Sequence, residues 1–366
     1  MLCSHPLIRV AYKTPDMEKS ETIKIIGSLK DGDLKHYQEL NEYHRKLPAN
    51  KKEWDFGTNN YIYPHYIEYQ QIPCGNCMPC RLNYSKQWAI RSVLESTLWD
   101  ENYFVTFTYN EENLPRRDEF TDKWGYSWFD EGNCWNGYLR DTDMTKLLKD
   151  VREYWRTHFN HTGIRFYYCG EYGSQNFRPH FHALMFNFPI KPQLLKFYKN
   201  TPDGNQLYTC PLLEKLWCKG FVVIGQFTWE TAAYTARYVT KKWKGETSPI
   251  HYGILGQEPE FCRMSRMPGI AKPYFDKHKE QIYSLDEIVL KTTKQKVLSL
   301  KPPKYYDKLY DIEYPEDMQR IKALRKFNAE QAAKLKDSTT TLSREQQLEL
   351  EERQLLFKTK SLIREL

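Results

Sequence analysis

Residues 164–186 read Ile-Arg-Phe-Tyr-Tyr-Cys-Gly-Glu-Tyr-Gly-Ser-Gln-Asn-Phe-Arg-Pro-His-Phe-His-Ala-Leu-Met-Phe. Two apolar and aromatic runs, Ile164–Glu171 and His180–Phe186, flank Gly173, Ser174, Asn176 and Pro179, the composition of a hairpin turn. Side chains alternate across a strand, so His180 and His182 share one face and Phe181 points into a core. A turn centred near residues 175–176 sets Glu171 across from His180 on the partner strand. Two imidazoles and a carboxylate then form an N,N,O set with open positions. Such a set suits Mg²⁺ or Mn²⁺ held partly by substrate phosphate, and it also accepts Zn²⁺. The spacing alone carries little, because ten histidines give about 0.3 such pairs by chance. Two hydrogen-bonded histidines and a surface carboxylate would leave the same letters.

Moving outward, Tyr103–Tyr109 reads as a strand, rich in β-branched and aromatic residues. Asp141 or Asp143 is expected to cap a helix carrying Leu147, Leu148, Val151, Tyr154 and Trp155 at helical spacing. Leu212–Trp217 suggests a short helix, Phe221–Gly225 a strand, and Trp229–Lys242 a helix capped by Thr228. The order β-α-β-β-α-β-α over 103–243 predicts an α+β fold, an antiparallel sheet with helices on one face. Residues 1–72 read as an irregular leader, and Glu111–Tyr138 as a long polar loop. A helix after the cysteine cluster is expected to be capped by Ser85, with Ile90, Leu94 and Leu98 on one face. Pro315 opens a charged helix to about Lys336, and Ser343 with Gln346 forms a capping box for a last helix. These shifts divide the chain into a leader with a cysteine knuckle and helix (1–100), a core (101–245), its extension (246–314) and a charged helical tail (315–366).

The 366 residues are 40% hydrophobic and 28% charged, which describes a globular protein and not a disordered one. No apolar run approaches the roughly 18 residues of a membrane span. Arg9 interrupts the only apolar stretch near the N-terminus, so no secretory leader is expected. Nine cysteines, an odd number, point to reduced thiols or metal ligands in a reducing cytosol. A net charge of +7 admits a polyanionic partner. The 27 Tyr, 10 Trp and 18 Phe, interleaved with Lys and Arg, suit a single-stranded nucleic-acid groove as well as an ordinary core.

Two further constellations could carry chemistry. Tyr234-Thr-Ala-Arg-Tyr238 sets two phenols one helical turn apart. If the helix continues, Lys241 and Lys242 lie on the same face and could stabilise phenolate or a charged phosphoryl transition state. An amphipathic helix packing its tyrosines is the plain alternative. Cys74, Cys77 and Cys80 are the least random feature, with about 0.005 such triplets expected by chance. Three thiolates in a Gly- and Pro-containing knuckle suit a structural Zn²⁺ completed by a fourth ligand, for which Cys3, Cys169, His5 and His65 are candidates. An iron–sulfur site is disfavoured, because Tyr84 stands where the next cysteine would fall.

At these residues the chain resembles the rolling-circle replication initiators of gokushoviruses, a branch of the microviruses within the HUH endonuclease superfamily. The matching segments include Cys3-Ser-His-Pro6, Pro73–Leu82, Phe104–Tyr109, Gly170-Glu-Tyr-Gly173, Arg178–Ala183 and Ala233–Lys242. Met264–Ile270 and Pro302-Pro-Lys-Tyr-Tyr306 extend the likeness, which runs in order over residues 1–310. The resemblance implies a five-stranded antiparallel sheet of RRM or ferredoxin type. It implies a divalent metal on His180, His182 and Glu171, and two nucleophiles, Tyr234 and Tyr238, assisted by Lys241 or Lys242. Its implied partners are single-stranded phage DNA at the origin and the host polymerase and helicase, in the bacterial cytoplasm and away from membranes. A relaxase or transposase of the same superfamily, and a non-catalytic zinc protein that binds nucleic acid, are the rival readings.

Overall fold

A computed structural model describes residues 3–12, 22–28, 36–37, 39–40, 42–43, 53–55, 60–62, 68–116, 119–121, 125, 127–129, 137–173, 176–202, 204–238, 242, 247–291 and 297–360. They fall into two units, Met1–Asn83 with Lys326–Glu365, and Tyr84–Arg325.

The first unit holds strands β1 (Leu7–Tyr12), β2 (Thr22–Ser28), β3 (Glu53–Asp55), β4 (Asn60–Ile62) and β5 (Glu68–Ile72). β2, β1 and β5 form an antiparallel sheet in that order, and β3 pairs with β4. The expected irregular leader is therefore corrected. Ile8 and Val10 are buried and Arg9 turns outward to Gln70 (3.2 Å), so the charge that breaks the apolar run is the alternate residue of a strand. Helix α1 (Met78–Ser96) begins seven residues before Ser85, which is buried inside it and caps nothing. Gly75, at φ +73°, makes the turn that lets the helix start so early.

The second unit is built on strand β6 (Asn102–Thr108), followed by a short hairpin, β7 (Glu119–Thr121) and β8 (Ser127–Phe129), inside the expected polar loop. Next come α2 (Asp141–Phe159), β9 (Arg165–Tyr172), β10 (Pro179–Phe186), β11 (Lys196–Asn200), β12 (Gln206–Thr209) and α3 (Pro211–Trp217). They are followed by β13 (Val222–Gln226), α4 (Trp229–Arg237), α5 (Ser248–Ile254), β14 (Phe261–Met264), α6 (Lys272–Leu285), β15 (Ile288–Lys291), β16 (Val297–Leu300) and α7 (Lys304–Glu313). A seven-stranded antiparallel sheet runs β11-β12-β13-β6-β10-β9-β14. The α+β architecture is as the sequence predicts, with β11, β12 and β14 widening the sheet.

Alternation sorts the sheet into two faces. Phe107, Phe181, Ala183, Val222 and Ile224 pack under α2 and α3 against Leu147, Val151, Trp155, Leu213 and Trp217. Each such apolar side chain contributes about 1.5–3 kcal/mol on burial. The reverse face carries the histidines and continues into Phe104, Tyr167, Leu184 and Phe186, covered by Ile90, Leu94, Ala232, Phe275 and Tyr306 of α1, α4, α6 and α7. Asp141 and Asp143 do not cap α2, whose N-cap is Arg140. Both carboxylates lie in the first turn, where the helix dipole favours them, and accept hydrogen bonds from Tyr168 (2.6 Å) and Tyr109 (2.8 Å). α4 is capped by Thr228 in a reciprocal box with Thr231, but it ends at Arg237 and not at Lys242.

The tail comprises α8 (Pro315–Asp337) and α9 (Arg344–Lys360), the latter opened by the expected Ser343–Gln346 box. Within the first unit, the Glu352 carboxylate on α9 accepts from the Met78 amide (3.3 Å) at the start of α1 and from His5 (3.0 Å). An acidic group there also offsets the unpaired amides of the helix N-terminus.

Candidate metal centre and tyrosine helix

The pairing of β10 with its neighbours builds the centre. His180 lies opposite Glu171 on β9 and Thr108 on β6, and His182 lies opposite Cys169 and Thr106. Glu171 Oε1 is 2.6 Å from His180 Nε2 and 3.1 Å from His182 Nε2. The three donor atoms lie within 4.8 Å of one another. Burial pushes the Glu171 carboxyl up, and the hydrogen bonds from His180 and His182 outweigh that, holding it at about 2.

The outer nitrogens decide whether an ion fits. His180 Nδ1 is 3.1 Å from the Arg178 carbonyl, which can only accept, so Nδ1 carries the proton and a neutral ring presents a lone pair at Nε2. His182 Nδ1 is 2.9 Å from the Thr106 hydroxyl, which completes the same arrangement when it accepts. Two neutral imidazoles and one buried carboxylate are a donor set for a divalent cation with further positions open to phosphate oxygen.

α4 brings its phenols onto this centre. The Tyr238 ring stacks on His182 with centroids 5.1 Å apart and planes at 15°. Tyr234 meets His182 edge-on at 5.3 Å and Tyr238 edge-on at 4.7 Å. Phe104 stacks on His182 at 5.3 Å. Burial, reinforced by the charge of Glu171, pushes both tyrosines well above the ordinary phenol value. Positive charge must therefore be supplied before either hydroxyl becomes a good nucleophile.

The structure differs from the sequence in where that charge comes from. Lys241 lies outside the described residues. Lys242 is half-buried beyond the end of α4, so the helical periodicity that set it beside Tyr238 does not reach it. The cation of the helix itself is Arg237, whose own pKa burial lowers and whose charge interacts with Tyr238 and Tyr234. Sequence reasoning missed Arg237 and Thr106. The first lies inside the Tyr-Thr-Ala-Arg-Tyr motif, and the second is one of two alternating threonines on β6.

A second donor cluster stands in the first unit. The sulfurs of Cys3, Cys74, Cys77 and Cys80 lie within 4.8 Å of one another, and Cys3 is 3.7 Å from Cys77. Four sulfurs placed at roughly 2.3 Å around one Zn²⁺ would be roughly 3.8 Å apart, so the cluster fits that ion. Cys74 Sγ accepts from the amides of Asn76 (3.4 Å) and Cys77 (3.3 Å), and Cys3 Sγ from that of Cys74 (3.2 Å). Burial pushes the Cys77 thiol up, and hydrogen bonds to it outweigh that and bring it to about 6. Of the other candidates for the fourth ligand, Cys169 lies in β9, His5 engages Glu352 and His65 lies outside the described residues.

Residues 102–243, from β6 past the tyrosine helix, match the family model of the replication-associated protein ORF2. The chain is 34% identical over 254 residues to Replication-associated protein ORF2 of Spiroplasma virus 4, covering 69% of this chain and 72% of that one. It is 30% identical over 270 residues to Replication-associated protein VP4 of Bdellovibrio phage phiMH2K, covering 72% and 75%. Similarity to Replication-associated protein ORF4 of Chlamydia phage 1 is 26% over 175 residues, 47% of this chain and 38% of that one. No solved structure matches the chain.

Proposed function

The chain belongs to the replication-associated proteins of gokushovirus-like phages, and on that premise we propose that it is a metal-dependent endonuclease and strand transferase that starts rolling-circle replication. Its substrate in this reading is single-stranded phage DNA at the replication origin. The observation that carries it is the stacking of Tyr238, with Tyr234 edge-on, against the histidine whose Nε2 faces Glu171. Plain core tyrosines would not need to converge on a metal-ligand set.

Glu171, His180 and His182 would hold Mg²⁺ or Mn²⁺. Once bound, such an ion withdraws charge from the non-bridging oxygens of the scissile phosphate. One tyrosine oxygen attacks phosphorus in line and loses its proton from Oη. The bond from phosphorus to the 3′ oxygen breaks, and that oxygen takes up a proton as a free 3′-OH. A 5′-phosphotyrosyl link replaces one phosphodiester with another, so rejoining needs no ATP. Arg237 offsets negative charge at the phenols. The second tyrosine can cut the regenerated origin while the first still holds the strand. The 3′-OH primes the host polymerase, with a host helicase opening the duplex, in the bacterial cytoplasm. Among the described residues no helix is long and apolar enough to cross a membrane. Cys3, Cys74, Cys77 and Cys80 hold a structural Zn²⁺ in this account.

Incubation with phage-origin single strands and Mn²⁺, followed by denaturing electrophoresis, should trap a covalent protein–DNA adduct. Replacing Tyr234 and Tyr238 together with Phe removes the attacking oxygens and keeps the rings. An adduct that survives in this double variant overturns the assignment.

A further inference from the structure

β11 lies at the edge of the sheet and all five of its residues are exposed. Phe197 pairs with Tyr208, which pairs with Ile224, so Phe197 turns toward the face under α2 and α3. Lys199 pairs with Leu207, which pairs with Gly225 and then Phe104, the ring stacked on His182. Lys199 therefore turns toward the histidine face. A register shift between Phe197 and Lys199 leaves Tyr198 as the extra residue of the strand. Its ring meets Phe221 at 5.2 Å, and Lys199 Nζ lies 5.5 Å from the ring centre.

Phe221 immediately precedes Val222, whose side chain enters the opposite core, so alternation turns Phe221 to the histidine face as well. The Phe221 carbonyl accepts from the Thr108 amide (3.0 Å) and hydroxyl (3.1 Å), and Thr108 lies directly opposite His180. Two strand spacings, about 10 Å, thus separate Phe221 from His180. Tyr198 is 46% exposed and Phe221 39% exposed.

We propose that Tyr198 and Phe221, flanked by Lys196 and Lys199, form a base-stacking platform for single-stranded DNA entering or leaving the metal centre. This rests on the nuclease reading and adds a binding subsite to it. Lysines alone would be explained as protection of an exposed sheet edge. Exposed rings have the opposite effect on an edge, so their presence needs another partner. Bases supply planar faces for the rings, and phosphates supply charge for Lys196 and Lys199, which make no ion pair among the described residues. The continuity of the row Tyr198, Phe221, Thr108, His180 gives the strand a direct course to the site of cleavage.

The test compares a fluorescent dT 20-mer with a 20-mer of abasic sites carrying the same phosphates, by anisotropy in EDTA so that cleavage plays no part. Wild type should prefer the dT strand. In Tyr198→Ala with Phe221→Ala, that preference should fall at least about fivefold, the lower bound for losing one stacked base. Tyr198→Trp with Phe221→Tyr keeps the rings and should retain it, which excludes misfolding as the cause. Lys199→Ala should lower the salt slope of binding by about 0.7. Absence of a base preference in wild type, or its persistence in the double Ala variant, overturns the platform. A protein that forms the phosphotyrosyl adduct but lacks the preference loses only the platform. One that shows the preference, loses it with the rings and forms no adduct loses only the nuclease reading.

Discussion

Thr106→Val tests the metal centre without touching a ligand. The change swaps one hydroxyl for a methyl of similar size on β6, so the pairing with β10 and the stack of Phe104 on His182 stay in place. What disappears is the partner of His182 Nδ1, at 2.9 Å in a side chain only 3% exposed. If Thr106 accepts from Nδ1–H, it holds the tautomer whose Nε2 lone pair faces Glu171. The valine then strands a buried N–H, at a cost of about 1–3 kcal/mol, or lets the ring switch to the tautomer protonated at Nε2. Either outcome weakens metal binding, and partners of this kind are worth about 10- to 100-fold in affinity. The two magnitudes agree, since tenfold corresponds to about 1.4 kcal/mol. Titration calorimetry with Mn²⁺ should show the loss, and saturating Mn²⁺ should restore most of the adduct yield. If Thr106 instead donates to Nδ1, it holds Nε2 protonated and opposes the metal. An affinity that is unchanged or tighter in Thr106→Val would therefore falsify the donor assignment.

Other expectations are equally direct. Purified protein should carry close to one zinc per chain, and Ser at Cys74, Cys77 and Cys80 should remove it and lower stability more than it lowers nicking by the folded fraction; atomic emission and thermal melting read both. In the metal-free protein Glu171 is held at about 2 against its ordinary 4.5, so its contribution to stability is full above about pH 4.5 and is lost as the pH falls toward 2. Glu171→Gln should flatten that part of the acid-unfolding curve, and a curve with unchanged slope refutes the ionised pair. Glu95 is fully buried and accepts from Arg165 (2.5 Å), Trp99 (3.1 Å) and the Ala271 amide (2.6 Å). Glu95→Ala leaves the Arg165 charge in the core without its partner and should cost about 3–5 kcal/mol by urea unfolding; a loss under about 1 kcal/mol would show that water reaches the pair.

How far the sequence reaches depends on the range of the interaction. The β9–β10 hairpin was readable because strand alternation and turn composition are properties of neighbouring residues. A single turn then determines the register, so Glu171 opposite His180 followed from residues close in the chain. The Thr228 and Ser343 caps were readable for the same reason, each being closed within three residues. Ser85 misled because a good capping residue has no effect once Gly75 has let the helix begin earlier. Lys241 and Lys242 misled because helical periodicity says nothing about where a helix stops.

Tertiary structure decided the rest. Cys3 was one of four candidates to join Cys74, Cys77 and Cys80, and only the folding of the first unit brings its sulfur within range of residues 71 or more positions away. Thr106 meets His182 across 76 positions, and Tyr238 stacks on the same ring only because α4 packs on the histidine face of the sheet. Composition and local pattern determined that this chain has strands, helices, a histidine pair and thiols in a knuckle. Which of those groups touch was decided by long-range strand register and helix packing, because a contact between distant residues depends on the burial of every segment between them.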